Sequence, residues 1–273
     1  MKKTLYMVIR NLAAWVISLI SAAPFLLILF NSLKTSLSAS DMNLSLPGLP
    51  LQWGNFLEVI EKGKLVGSFI NSCIYTFGSV ALCCFLSSLA AYVLARNHTK
   101  FTRAIYLFIV LGITMPINYV ALTRVMIFLN LNDTQLGIVL LYTAMQIPFS
   151  IFLIYGFVLK IPVELDEAGI IDGCSPIRLF VAIIFPLLKP AIATTVVLTF
   201  LNNWNEFISP LYFLSSSTKW PMTLSVYNFF GMYFKDWNMV CADIVMTSIP
   251  VVLIYLFGQK YIVSGMTAGA VKG

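Results

Sequence analysis

The chain has 273 residues, of which 59% are hydrophobic and only 10% charged, and its mean hydropathy is +0.90. This excludes a water-soluble domain, which needs far more charge on its surface, and places the chain in lipid. The net charge of +6 would suit nucleic acid, but basic residues collected on alternate loops of a membrane protein account for it without that partner.

An α-helix needs about 20 apolar residues to cross a hydrocarbon core of about 30 Å. The first charge-free stretch, Asn11 to Leu33, follows Lys2, Lys3 and Arg10. The basic start and Ser21-Ala22-Ala23 resemble a leader with its cleavage site. The run is too long for a leader's apolar region, however, and reads as an uncleaved first span over 11–33. Residues 34–64 hold Pro47-Gly48 and Pro50, then Trp53, Phe56, Leu57, Val59 and Ile60 at helical spacing, which predicts a short amphipathic helix on the outer interface.

The charge-free stretches Leu65 to Ala95, Ala104 to Thr123 and Thr134 to Leu159 predict spans over 67–95, 104–128 and 135–159. The short polar loop at 130–134 makes the third and fourth an antiparallel hairpin. Two interrupted apolar runs give spans over 180–214, broken by Lys189 and Glu206, and over 240–260, with Asp243 near its start. Between them lies a connection with Trp220, Tyr227, Phe229, Phe230, Tyr233, Phe234 and Trp237, rings that suit either interface anchoring or an external partner. No ten-residue alternation of a barrel occurs, so the expected fold is all-α, one transmembrane domain of six helices over 1–273. With six spans both termini share a side, and that side collects ten basic residues against six opposite. The termini and a tail at 261–273 are therefore expected in the cytoplasm.

Cys73, Cys83, Cys84, Cys174 and Cys241 fall mostly in spans, without CxxC or Cys/His spacing, and read as small packing residues. His98 sits in a basic loop. No metal site or catalytic constellation is expected.

The cytoplasmic connection at 161–178 carries more helix signals than a plain loop needs. Pro162 suits a first turn, and Glu164, Asp166 and Glu167 sit where a helix dipole favours negative charge. Asp172-Gly173 breaks that helix, and Ser175-Pro176 starts a second. Ala168, Gly169 and Gly173 are small enough for another protein to approach closely.

The ordered run from Glu164 through Glu167, Ala168, Gly169, Asp172, Gly173 and Cys174, then Phe180, Phe185-Pro186-Leu187 and Pro190, resembles the EAA loop of permease subunits in binding-protein-dependent ATP-binding-cassette importers. Gly169 and Cys174 stand where the family usually has alanine. Asn31-Ser32-Leu33-Lys34, Asn55-Phe56, Asn71-Ser72, Trp204-Asn205-Glu206-Phe207 and Pro210-Leu211 extend the likeness. The end from Gly265 to Gly273 is similar to the carbohydrate-uptake branch, in the subunit like the second maltose permease.

The resemblance implies a MetI-like bundle in a bacterial cell membrane and a coupling helix seated on an ATPase, with Glu164, Glu167, Ala168, Gly169, Asp172, Gly173 and Pro186 as coupling residues. Val271, Lys272 and Gly273 would also reach the ATPase. The implied partners are a second permease subunit, two ATP-binding-cassette subunits and an extracellular sugar-binding protein. The chain has no G-x-x-x-x-G-K-[ST] phosphate-binding loop. It is thus expected to be non-catalytic and to bind no cofactor, with ATP and Mg used by the partners.

A sugar pathway needs polar groups inside spans. Asn202, Asn205 and Glu206 would share one face of the fifth span, with Asn202 about 18 Å inward from Leu214. Asn118 and Tyr119 after Pro116, and Gln146 before Pro148, would line the same cavity or simply bond helix to helix. The competing function is a self-contained ion-coupled transporter, for which Glu206 and Asp243 are the only acids near span depth.

Overall fold

The computed structural model describes residues 2–229 and 236–270, and these are helical with connecting loops and no strand. In order, α1 (Lys2–Ser32), α2 (Ser36–Ala39) and α3 (Gly54–Lys62) lead to α4 (Leu65–Arg96). Next come α5 (Lys100–Leu111), α6 (Tyr119–Phe128) and α7 (Gln135–Val158), then α8 (Glu164–Ile171) and α9 (Pro176–Leu179). A π-helical segment, Phe180–Ile184, runs into α10 (Phe185–Leu187) and α11 (Lys189–Trp204). After α12 (Ile208–Phe213) and α13 (Met222–Ser225), α14 (Trp237–Ala270) closes the described chain.

Among the described residues, four helices are long and apolar enough to cross a membrane: α1 over Tyr6–Ser32, α4, α7, and α14 over Trp237–Lys260. The other two expected spans are divided, and proline divides both. The third breaks between Leu111 and Tyr119, because Pro116 offers no N–H to the Gly112 carbonyl and its ring crowds that oxygen. Asn118 then restarts the helix, its side-chain oxygen accepting from the Ala121 N–H at 3.0 Å. The fifth, expected over 180–214, is a pair of helices, Pro176–Leu187 and Lys189–Trp204, bent by 76°. Pro186 and Pro190 flank the bend and a π-helical turn precedes it, both recognised causes of a kink. The helix stops at Trp204, and residues 205–207 form a turn before α12. The depth count from Leu214, which assumed one helix, therefore does not apply.

The chain divides into two compact units. The first comprises Met1–Ser68 and Met222–Ile249. Its centre is polar. Lys34 is 3% exposed, and its ammonium donates to Asn31 Oδ1 at 3.0 Å, to Asn43 Oδ1 at 2.9 Å and to the Asn43 carbonyl at 3.0 Å. Asn55 donates to the Ser32 and Lys34 carbonyls, and Asn238 donates to Asn55 Oδ1 at 3.1 Å. Three donors on one ammonium, each with an oxygen, offset the cost of burying it. Helix α3 forms in the expected stretch, but the face predicted to be apolar is divided: Val59 is buried beside Asn55, while Trp53 and Leu57 are exposed.

The second unit comprises Phe69–Pro221 and Pro250–Gly273 and holds two apolar cores. One, beside the 161–178 connection, gathers Ala91, Leu94, Ile154, Val158, Phe180, Ile184 and Leu188. The other, beside the 130–134 loop, gathers Tyr75, Met126, Ile138, Tyr142, Phe213 and Leu214. Between them α4 is stitched to its neighbours, by Asn203 donating to Ser79 Oγ at 2.7 Å and by Cys83 Sγ lying 3.2 Å from Ser150 Oγ. Cys83, Cys84 and Cys241 are buried, and all five cysteines are free thiols.

Candidate functional site

The 161–178 connection folds as two short helices about a sharp turn. Glu164, Asp166 and Glu167 occupy the first turn of α8, where unpaired N–H groups favour negative charge. The helix ends in a Schellman arrangement: Cys174 N–H bonds the Gly169 carbonyl at 2.9 Å and Gly173 N–H bonds that of Ile170 at 3.0 Å. Gly173 has φ +76°, the left-handed conformation this cap requires and glycine adopts at no steric cost. Ser175 caps α9, accepting from the Arg178 N–H, with Pro176 at the first helical position.

The two faces of α8 differ. Glu164, Glu167, Ala168, Ile170 and Ile171 are exposed, as are Asp172 and Gly173 in the turn and Ile177 in α9. Three of these are large isoleucines, with Ile171 at 85% and Ile177 at 78%. Asp166 and Gly169, three residues apart, point inward and are buried. Gly169 thus departs from its expected part in docking. A Cβ there would lie 2.5 Å from Leu179 Cδ1, so its smallness lets α8 rest on α9. Pro186 is exposed in α10, just before the bend.

Asp166 is the residue that sequence reasoning passed over. Its carboxylate forms an ion pair with Arg96 at 2.7 Å and accepts from the Tyr92 hydroxyl at 2.5 Å, while Arg96 also donates to the Ile161 carbonyl at 3.1 Å. Arg96 counts in the sequence only as one more cytoplasmic cation, and Asp166 only as one of three first-turn acids. The available signal was its register with Gly169 on one face.

The pathway candidates separate into two groups. Gln146 and Asn202 meet, the Asn202 amide donating to Gln146 Oε1 at 3.3 Å. They line a cavity of about 420 Å³ with Ile113, Met115, Met145, Phe149 and Leu198 among its walls. Small-molecule sites commonly measure about 300–1,000 Å³, mostly apolar with a few convergent polar groups. The other four lie outside its lining. Asn118 caps α6 and Tyr119 stacks on Tyr212 with centroids 4.7 Å apart. Asn205 and Glu206 follow the end of α11, so the shared helical face expected for them with Asn202 is not formed. Asn205 donates back to the Leu201 carbonyl, and Glu206 accepts from the Ser209 N–H at 2.8 Å, starting α12. Val271, Lys272 and Gly273, and the rings Phe230, Tyr233 and Phe234, lie outside the described residues. Among the described residues no cluster of His, Cys, Asp and Glu is disposed to hold a metal ion.

The fold matches a solved structure entitled a bacterial ABC transporter involved in the import of the acidic polysaccharide alginate, with TM-score 0.83 at 20% identity, covering 94% of this chain and 96% of that one. Among curated proteins, the chain is 33% identical to the melibiose/raffinose/stachyose import permease protein MelC of Bacillus subtilis (strain 168), covering 99% of both chains. It is 34% identical to the probable starch degradation products transport system permease protein AmyC of Thermoanaerobacterium thermosulfurigenes, covering 94% of both. A putative ABC transporter permease protein, ORF2 of Caldicellulosiruptor sp. (strain Rt8B.4), is 36% identical over 96% of this chain and 95% of its own length. The family model described as the binding-protein-dependent transport system inner membrane component matches residues 84–268, and the chain belongs to that family.

Proposed function

We propose that this chain forms half of the translocation pathway of an ATP-driven importer for a carbohydrate delivered by an external binding protein. The observation that carries the coupling part is the exposed face of α8 and α9, where Ile170, Ile171 and Ile177 stand in water among Glu164, Glu167 and Asp172. A loop outside the spans gains nothing from exposed isoleucines unless a partner covers them. The partner is an ATPase subunit of the family's transport system, using ATP and Mg²⁺ on its own chain. Two such subunits, a second permease and the binding protein complete the assembly. Both ends of the chain face the cytoplasm, following the distribution of basic residues.

The carbohydrate reading draws on the sugars named in the relatives, melibiose, raffinose, stachyose and starch products. The cavity at Gln146 and Asn202 suits such a ligand, with amide donors and acceptors for hydroxyls and apolar walls for ring faces. Membership of a binding-protein-dependent family leaves the ion-coupled alternative without support. The test is purification of the tagged chain in mild detergent, followed by reconstitution with its binding protein. Co-purification of an ATPase and a second permease, with ATP-dependent uptake of raffinose or maltotriose, is expected. Recovery of the chain without an ATPase overturns the coupling reading, and a complete complex that imports neither sugar overturns the carbohydrate reading.

A further inference from the structure

We infer that Asp166, gripped by Arg96 and Tyr92, is the positioning residue that makes the coupling helix and α4 move as one body. The inference rests on the proposal that the outer face of α8 seats on an ATPase.

Helix α8 has 8 residues and is followed by a turn at Gly173, so its backbone alone is a weak lever. The grip on Asp166 removes that slack. One carboxylate oxygen takes the Tyr92 hydroxyl at 2.5 Å and the other faces the Arg96 guanidinium at 2.7 Å. Both partners come from the last turns of α4, four residues apart and therefore on one face. Arg96 also holds the Ile161 carbonyl at 3.1 Å, which fixes the approach to α8 as well as α8 itself. The contact is largely dry: the Arg96 side chain is 15% exposed and that of Asp166 9%. Tyr92 is itself braced by Phe180, with ring centroids 5.5 Å apart. A shielded charge pair, with one hydrogen bond from Tyr92 on the same carboxylate, is costly to break by removing either partner.

What is gripped matters as much. Helix α4 has 32 residues, a rod of about 48 Å. Along it Ser79 accepts from Asn203, the residue after Asn202 of the cavity wall, and nearer its start Asn71 and Tyr75 bond the carbonyls of Thr218, Trp220 and Lys219. A displacement of α8 is thereby delivered to a rigid element bonded to the helix that lines the cavity. This is a mechanical connection between discrete packed parts, the kind that carries rigid-body switching.

The test uses the whole complex in liposomes with its binding protein. Asp166→Asn removes the ion pair and leaves the outer face of α8 untouched. The expected result is an ATPase retained in the complex, with raffinose or maltotriose imported per ATP hydrolysed falling about tenfold. The charge exchange Asp166→Arg with Arg96→Asp is expected to recover most of that ratio, which a general folding defect would not allow. An unchanged ratio in Asp166→Asn overturns the inference, as does loss of the ATPase that the exchange fails to restore. Should Asp166→Asn not assemble, Tyr92→Phe decides, since it removes one hydrogen bond only; an undiminished ratio there overturns the inference. If the wild-type complex holds an ATPase yet carries neither sugar, the carbohydrate reading fails separately. The grip is then read from stimulation of ATP hydrolysis by the binding protein, expected to be lost in Asp166→Asn and overturning the inference if equal to wild type.

Discussion

Two ion pairs fasten loops of the second unit, one just before α7 and one just after it, about 36 Å of helix apart. Before α7, Asp133 binds Lys219 at 3.0 Å and accepts from the Ser215 and Ser216 N–H groups, tying the 130–134 loop to the segment after α12. Its side chains remain about a third exposed. After α7, the Asp166 carboxylate is buried between Arg96 and Tyr92. The chemistry is nearly the same and the setting is not. An exposed pair is screened and contributes about 0–1 kcal/mol, whereas breaking a buried one by removing a partner costs about 3–5 kcal/mol. The molecule spends its shielded pair on the loop with the outward-facing isoleucines.

The largest expected effect breaks this contrast at the cap. Gly173→Trp puts a bulky side chain in the left-handed region, costing about 1–2 kcal/mol in conformation, and projects it beside the exposed face. Loss of ATPase co-purification is expected while the chain still fractionates with membranes. Undiminished co-purification removes the docking assignment.

Next, Gly169→Leu overpacks the buried face against Leu179 and Ile183, an expected destabilisation of about 1–3 kcal/mol, visible as a lower Tm of the detergent-purified chain. Ala168→Leu, on the exposed face, should leave Tm in place and weaken ATPase retention instead. Identical behaviour of the two would erase the distinction between faces.

A smaller effect is expected in the cavity. Gln146→Ala or Asn202→Ala should raise KM for uptake about 2- to 10-fold, the worth of one or two hydrogen bonds. The double variant should show less than the product of the two, because the residues bond each other.

The smallest belongs to the exposed pair. The hydrogen bond from Lys219, helped by the Ser215 and Ser216 N–H groups, holds the Asp133 carboxyl below its ordinary range. A depressed carboxyl contributes fully above its unfolded pKa, about 3.9, and loses that contribution as pH falls through the lower folded value. Hydrogen exchange of the 130–134 loop should therefore be flat from pH 7 to about pH 5, after correction for intrinsic rates, and lose protection only below about pH 4. Asp133→Asn should mimic the acid state at pH 7, by less than about 1 kcal/mol.

Much of this was legible in the sequence, and what was not has identifiable causes. Charge-free length located α1, α4 and α7, an apolar run carrying Asp243 located α14, and cap chemistry at Glu164, Gly173 and Ser175-Pro176 located the two short helices of the 161–178 connection, because these signals are local. Spans three and five were drawn too straight: Pro116, Pro186 and Pro190 were visible, but hydropathy outweighed their missing N–H groups. The grip on Asp166 joins residues 70 positions apart, and no local rule pairs one first-turn acid with one loop cation. Asn118 and Glu206 looked like pathway residues because polarity in an apolar run is conspicuous; their side chains serve helix starts.

The polar centre of the first unit bears on how the protein is made. Asn55 lies near the start of the chain and its partner Asn238 near the end, and Ser225 meets Asp243 only once α14 exists. Translation proceeds from the N-terminus, so Asn55 Oδ1 lacks this partner until α14 has been synthesised. An unfinished or truncated chain therefore displays polar groups that the finished one hides.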